Sequence, residues 1–196
     1  MSRIDDLLRS YCPNGVPHVE LGEILDYEQP TKFLVETTDY DDEYQVPVLT
    51  AGKSFILGYT NEENGIYPAS GTTPVMIFDD FTTAFRWVDF PFKAKSSAMK
   101  MLTLRQGVDA SFRFVWYAMQ CIGFKPSEHS RHWISVYSKF RIPLPPIEVQ
   151  REVVRVLDLF QSLEAELEAR RRQYAHYRDS LLDFSERGGG QVDDLG

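Results

Sequence analysis

Two histidines three residues apart, His129 and His132, with Glu128 beside them, come closest in this chain to the spacing of a metal site. Three-residue spacing would place two imidazoles on one helix face. Pro126 and Ser127 instead make the stretch a loop, and Cys121 is the one thiol nearby. Two histidines without further ligands at fixed spacing are a weak metal signal, and polar contacts to a partner are the better reading. Ala51-Gly52-Lys53-Ser54 suggests a phosphate-binding loop, but that motif needs a glycine where Pro47 stands and a helix after the Lys-Ser. Here SFILGYT reads as a strand, so Lys53 is better read as a turn lysine free to reach a phosphate. Asp79-Asp80 after PVMIF could be strand-end carboxylates for a metal, yet no Asp/Glu-x-Lys triplet accompanies them. A turn-forming or loop-ordering role is the simpler reading. No nucleophile elbow, Gly-rich dinucleotide loop or Asn-Pro-Pro-aromatic tetrapeptide occurs. No residues are therefore assigned as catalytic or metal-binding, and no cofactor is expected in this chain.

What remains is an interleaving of basic, hydroxyl and aromatic residues. Arg86-Trp87, Phe92-Lys93-Ala94-Lys95-Ser96-Ser97, Lys125 and His129-Ser130-Arg131-His132-Trp133 follow one another. Arg and Lys suit phosphates and guanine edges, and Ser, Thr and His add hydrogen bonds to either. The formal net charge is −8, but it is unevenly distributed. Residues 1–85 carry 4 Lys/Arg against 15 Asp/Glu, residues 86–141 carry 10 against 3, and residues 142–196 carry 7 against 11. A basic segment in an acidic chain can form a phosphate-facing surface where the fold gathers it on one side. The candidate DNA contacts are Lys53, Tyr59, Ser70, Thr72, Arg86, Lys93, Lys95, Ser96, Lys125, His129, Arg131 and His132. Trp87 and Phe92 read as core, and Arg86 reads equally as a contact or as an internal ion pair.

These residues need a scaffold, and 196 residues with 43% hydrophobic content suffice for one core plus an appendage. RIDDLLRSY (3–11) reads as a short helix with Ile4, Leu7, Leu8 and Tyr11 on one face, closed by Pro13-Asn14-Gly15. Short β-favouring runs follow at 44–50, 54–60, 74–78, 82–88 and 99–104. DASFRFVWYAMQCI (109–122) reads as one buried helix with Phe112, Val115, Trp116 and Met119 together and Gly123 ending it. ISVYSKFRIPLPP reads as a last strand. The fold class is α+β: a β-rich body with short helices over 1–142, a long C-terminal coiled-coil helix over 143–186, and a disordered tail over 187–196. Two cysteines, Cys12 and Cys121, suit a reducing cytosol. MSRIDDLLRS lacks an apolar signal core and no run is long enough to cross a membrane, so a cytoplasmic protein with no membrane partner is expected.

The long helix organises the rest. After Pro145-Pro146 no Pro or Gly occurs until Gly188. Val153, Val156, Phe160, Leu163, Leu167, Tyr174, Tyr177, Leu181 and Phe184 recur at alternating three- and four-residue steps, with Arg170 in the remaining slot. A 3.5-residue period keeps one seam facing a partner helix, and an exposed seam of this kind demands a second helix, which makes a homodimer the expectation. The same spacing would also serve an amphipathic helix lying on its own domain.

SKFRIPLPPIEVQREVVRVLD followed by a long helix resembles the junction between target-recognition domain and spacer helix in the specificity subunits of type I restriction–modification systems. LLRSYCPNGVPHVELGEI resembles the opening of such domains, and LTAGKSFILGYT and PASGTTPVMIFDDFTTAFRWVDFPFKAKSSAMKML resemble their interior. The resemblance implies a non-catalytic reader of double-stranded DNA. Such readers usually carry two recognition domains and two antiparallel spacer helices. Methyltransferase subunits dock on this frame and supply the S-adenosylmethionine site, and a restriction subunit using ATP and Mg²⁺ joins in some systems. This sequence shows one recognition domain and one helix, which implies a half-length or truncated form. Two copies would restore the frame and read an interrupted palindrome. A coiled-coil adaptor that binds protein without DNA, and a small nuclease, are the rival readings.

Overall fold

The computed structural model describes residues 2–52, 54–127 and 130–183. Its chain divides into two compact units, residues 1–153 and 154–196, with the division inside the last helix.

The first unit is built on a four-stranded sheet. Strands β5 (Val75–Asp79) and β8 (Met99–Leu104) lie at its centre, with β2 (Leu25–Glu28) and β6 (Phe85–Val88) at its edges, all antiparallel. Side chains alternate across a strand, so the unbroken apolar run of β5 must serve two cores. Met76 and Phe78 enter one cluster with Leu21, Ile24, Leu102, Val115, Met119, Trp133 and Tyr137. Val75 and Ile77 enter the other with Leu49, Phe92, Met99 and Met101. Such continuous hydrophobic runs mark a sheet covered on both faces. One cover is α3 (Phe112–Gln120), which Ser111 caps by accepting the Phe114 N–H at 3.3 Å. The other is a small sheet in which β3 (Val46–Leu49) pairs antiparallel with β4 (Ile56–Thr60) and in parallel with β7 (Lys93–Ala94). Pro47 is tolerated inside this sheet because β7 pairs only with Val48 and Leu49.

The ends of this unit are tied together. β1 (His18–Glu20) pairs with β9 (Arg141–Pro143), joining the opening of the chain to the strand before the last helix. Helix α1 (Arg3–Tyr11) begins with a reciprocal capping box between Ser2 and Asp5 and buries none of its residues. Helix α4 (Ile147–Leu182) runs 36 residues without interruption. The buried Gln150 in its first turn accepts the Ser111 N–H at 2.8 Å and donates to the Pro145 carbonyl at 2.7 Å.

Each of the five expected strand runs holds a strand: 99–104 matches in full, 74–78 is displaced by one residue to 75–79, and the other three are shortened. Three differences have local causes. The buried helix starts at Phe112 because Ser111 caps it, and its buried residues are Phe114, Val115, Tyr117 and Met119, with Phe112 and Trp116 half-buried. The last strand shrinks to Arg141–Pro143, because the Val136 and Tyr137 N–H groups turn back to the His132 carbonyl (3.0 and 2.8 Å) instead of joining a ladder. Strands β1, β2 and β7 carry too few residues to show a period. Phe184 and the tail lie outside the described residues. Among the described residues no helix is long and apolar enough to cross a membrane, and no group of three or more His, Cys, Asp or Glu could hold a metal ion.

Candidate nucleic-acid interface

The turn between β3 and β4 is ordered by one hydroxyl. Thr50 Oγ1 donates to the Ser54 carbonyl (2.9 Å) and accepts the Gly52 N–H (3.1 Å), while the Thr50 N–H donates to the Phe55 carbonyl (3.0 Å). Lys53 lies outside the described residues. Arg86 is exposed on edge strand β6, and its guanidinium reaches the Gly52 carbonyl at 3.4 Å. A basic side chain 34 residues away is thereby held at the turn. Lys95 reaches the same region through its backbone, donating to the Leu49 carbonyl at 3.0 Å. Its ammonium donates to Tyr40 Oη at 3.1 Å and sits 5.5 Å from the centre of that ring. Tyr59, half-buried on β4, lines a surface hollow of about 410 Å³ with Gln45, Pro47, Ile56 and Phe90.

The Ser70–Thr73 turn is closed by reciprocal backbone bonds, and Ser70 Oγ lies 2.6 Å from Thr73 Oγ1 and 3.1 Å from Thr72 Oγ1. Thr72 is exposed and Ser70 half-buried.

A second gathering point is Asp80, 1% exposed at the end of β5. Its Oδ2 receives Lys100 Nζ at 3.0 Å, and Lys100 is equally buried. Its Oδ1 accepts the Trp133 N–H (2.8 Å), its carbonyl accepts the His132 N–H (2.9 Å), and its own N–H donates to the Ala98 carbonyl (3.0 Å). One residue thus fastens the turn bearing Ser96 and the end of the basic loop to the central sheet. Asp79 orders the adjoining turn by accepting the Phe81 and Thr82 N–H groups at 3.0 and 2.8 Å. Thr83 in this turn has φ +58°, a conformation costly for a β-branched residue.

The remaining predicted residues separate by burial. Lys125 and Arg131 are exposed. Ser96 is half-buried and accepts the Ala98 N–H at 3.1 Å. Lys93 is 2% exposed; its ammonium pairs with Glu62 and donates to the Asn64 carbonyl at 2.6 Å. Burial pushes the Glu62 carboxyl upward, but the Lys93 hydrogen bond and the Thr37 and Glu36 N–H groups outweigh it, and the net shift is below the usual carboxylate range. His132 is 6% exposed, with its ring edge-on to Phe124 at 5.6 Å. Lys93 and His132 therefore support the loops from within, and His129 lies outside the described residues. The sequence reading overlooked Lys100; the one available sign was its place in the apolar run MKML, where a lysine needs a buried partner.

In the helical unit, Val156 is half-buried, as is Val153 just before the division. Phe160, Leu163, Leu167, Tyr174, Tyr177 and Leu181 are 50–68% exposed. Arg170 is held by Glu166, with Nη2 2.6 Å from Oε1.

No family model matches the sequence. The fold is that of specificity subunits from type I restriction–modification systems. The chain superimposes on the Mycoplasma genitalium S subunit with a TM-score of 0.58 and 17% identity, covering 88% of this chain and 49% of that one. For the HsdS subunit of Thermoanaerobacter tengcongensis the TM-score is 0.51 at 17% identity, covering 94% and 50%. In sequence the chain is 51% identical over 199 residues to the specificity subunit of the Escherichia coli type I restriction enzyme EcoR124I/EcoR124II, covering 95% of this chain and 48% of that subunit. The chain belongs with the type I restriction specificity subunits, and it spans about half the length of the relatives it matches.

Proposed function

We propose that this chain reads DNA sequence for a type I restriction–modification system and performs no chemistry itself. Identity of 51% across 95% of the chain to a specificity subunit carries this reading. The contacts come from exposed loops and turns: Arg86 with the turn of Lys53, the Ser70–Thr72 turn, Lys95 and Ser96, Tyr59, and the loop of Lys125, His129 and Arg131. Two copies join through the C-terminal helix and hold two identical readers on an interrupted palindrome. Methyltransferase subunits dock on this frame in the cytoplasm and bring S-adenosylmethionine; a restriction subunit, where present, brings ATP and Mg²⁺ chemistry.

The test is to co-express the chain with its methyltransferase partner and map methylated adenines in the host genome. Methylation at one symmetric, interrupted motif is expected. Methylation that does not change when this chain is omitted sinks the proposal. Binding of the purified chain to duplex DNA should weaken steeply with salt, as phosphate contacts require. An adaptor without DNA readout would bind weakly and without salt dependence. Duplex DNA incubated with the chain and Mg²⁺ should remain intact.

A further inference from the structure

The stretch from His132 to Lys139 buries some side chains and presents others. Trp133 and Tyr137 are buried, stacked on each other at 6.1 Å and set against Phe78 at 5.2 and 4.9 Å. Ile134, directly after Trp133, is 61% exposed, against 47% or less for Tyr11, Tyr27, Ile56 and Leu57. Its backbone is held on several sides. The His132 and Trp133 N–H groups are tied to Asp80, and the Tyr137 and Ser138 N–H groups reach the His132 and Trp133 carbonyls at 2.8 Å. The chain at Gly22 approaches so closely that a Cβ there would stand 3.2 Å from the Ser138 Cβ and carbonyl oxygen. A serine or lysine at position 134 would suit this backbone and the surrounding water as well.

Ile134 lines a surface hollow of about 390 Å³ with Tyr27, Arg105, Trp133 and Ser138. Arg105 is fixed there: its Nε donates to Asp26 Oδ1 and its Nη2 to the Gly22 carbonyl, both at 3.0 Å. A guanidinium carries five N–H donors, so these two bonds leave donors for an outside acceptor. From His129 to Ile147 the sequence has no Asp or Glu, and Arg131, Lys139 and Arg141 are exposed. A single exposed apolar side chain is ordinary. One held rigid among cations, beside a hollow, fits an anionic polymer that carries apolar points.

Duplex DNA is such a polymer, and the apolar point on its base edges is the thymine 5-methyl group in the major groove. We infer that Ile134 reads the 5-methyl group of a thymine, with Arg105 holding a neighbouring phosphate. This rests on the DNA reading proposed above and adds a base-contacting residue that charge alone does not find. The surrounding charge favours DNA over an apolar protein surface. A protein docking on Ile134 would have to pair or desolvate these cations, whereas DNA meets them with phosphates.

The test uses the chain in complex with its methyltransferase partner and duplexes carrying the mapped methylation motif. Deoxyuridine replaces thymine at one position at a time, which removes only the methyl group. At one position in each half-site the wild type should lose about fourfold in affinity, the effect of uncovering one methyl-sized group. Ile134→Ala should bind thymine and uracil duplexes equally at that position, and Ile134→Val should keep part of the difference. Arg105→Ala should lower the salt slope by about 1 on both duplexes. A wild type indifferent to uracil at every position overturns the inference, as does a full uracil penalty in Ile134→Ala or an unchanged slope in Arg105→Ala. If Ile134→Ala keeps the penalty but no longer co-purifies with the methyltransferase subunit, the residue is a protein contact and the inference falls. Methylation that does not depend on the chain removes the DNA reading itself, a separate failure.

Discussion

The body and the helix of this chain use charge and apolar surface in opposite ways. In the body, two ion pairs are buried and the apolar residues of the central sheet are covered on both faces. Asp80 with Lys100 and Glu62 with Lys93 are internal pairs, three of the four side chains no more than 3% exposed. In the helix, ions are exposed, and seam residues from Phe160 to Leu181, the charge-paired Arg170 included, are at least half exposed. A buried pair contributes little net stability but fixes geometry, because losing one partner strands a charge. An exposed seam fixes nothing until another helix covers it. The body thus covers its own apolar clusters, whereas the helix leaves its seam uncovered.

This contrast can be broken at several points. The largest effect should follow Asp80→Ala, which leaves Lys100 charged and buried and frees the Trp133 N–H. A loss of about 3–5 kcal/mol is expected, read as a fall in denaturation midpoint, and Lys100→Met in the same chain should recover part of it. Full stability in the single variant would show that the pair does not anchor the loops. Next, Leu163→Glu/Leu167→Glu should leave the melting of the body unchanged while weakening the dimer at least about a hundredfold, since two buried leucines contribute roughly 3 kcal/mol or more. Equilibrium sedimentation checks this.

A smaller effect concerns alkaline pH. Burial pushes the Tyr137 hydroxyl up from 10.0 to about 12. The folded state therefore favours the neutral phenol. Its contribution is intact below pH 10 and is lost as the pH rises toward 12, a change on the order of 2 kcal/mol. Tyr137→Phe should flatten that loss in denaturation curves taken between these pH values. The smallest effect compares an exposed cation with a buried one. Arg131→Ala should lower the slope of log affinity against log salt by about 1. Lys93→Met should leave the slope alone and lower the melting temperature. If Lys93→Met alone moves the slope, its assignment to the interior is wrong.

The two inner strands of the central sheet were legible because PVMIF and MKMLTL are long apolar runs with few alternatives. The helix seam was legible because its period persists over some thirty residues. Strands β1, β2 and β7 were not, since two to four residues show no period and their partners lie far along the chain. The candidate contacts were read from charge and loop position, and that rule cannot distinguish Arg131 from Lys93. Which lysine goes inside is decided by where Glu62 arrives, and only the folded chain places it. The same holds for His132, read as a polar loop residue but buried by Phe124 and anchored through its backbone to Asp80.

The fastening at Asp80 also bears on how far the loops beside it can be altered. Its hydrogen bonds go to the backbone of Ala98, His132 and Trp133, not to the side chains of the loops they bound. The residues from Lys125 to Arg131 can therefore be exchanged for others while the attachment stays in place. A library that varies those positions, and retains Asp80, Lys100 and Trp133, starts from a body that already knows where its loops end.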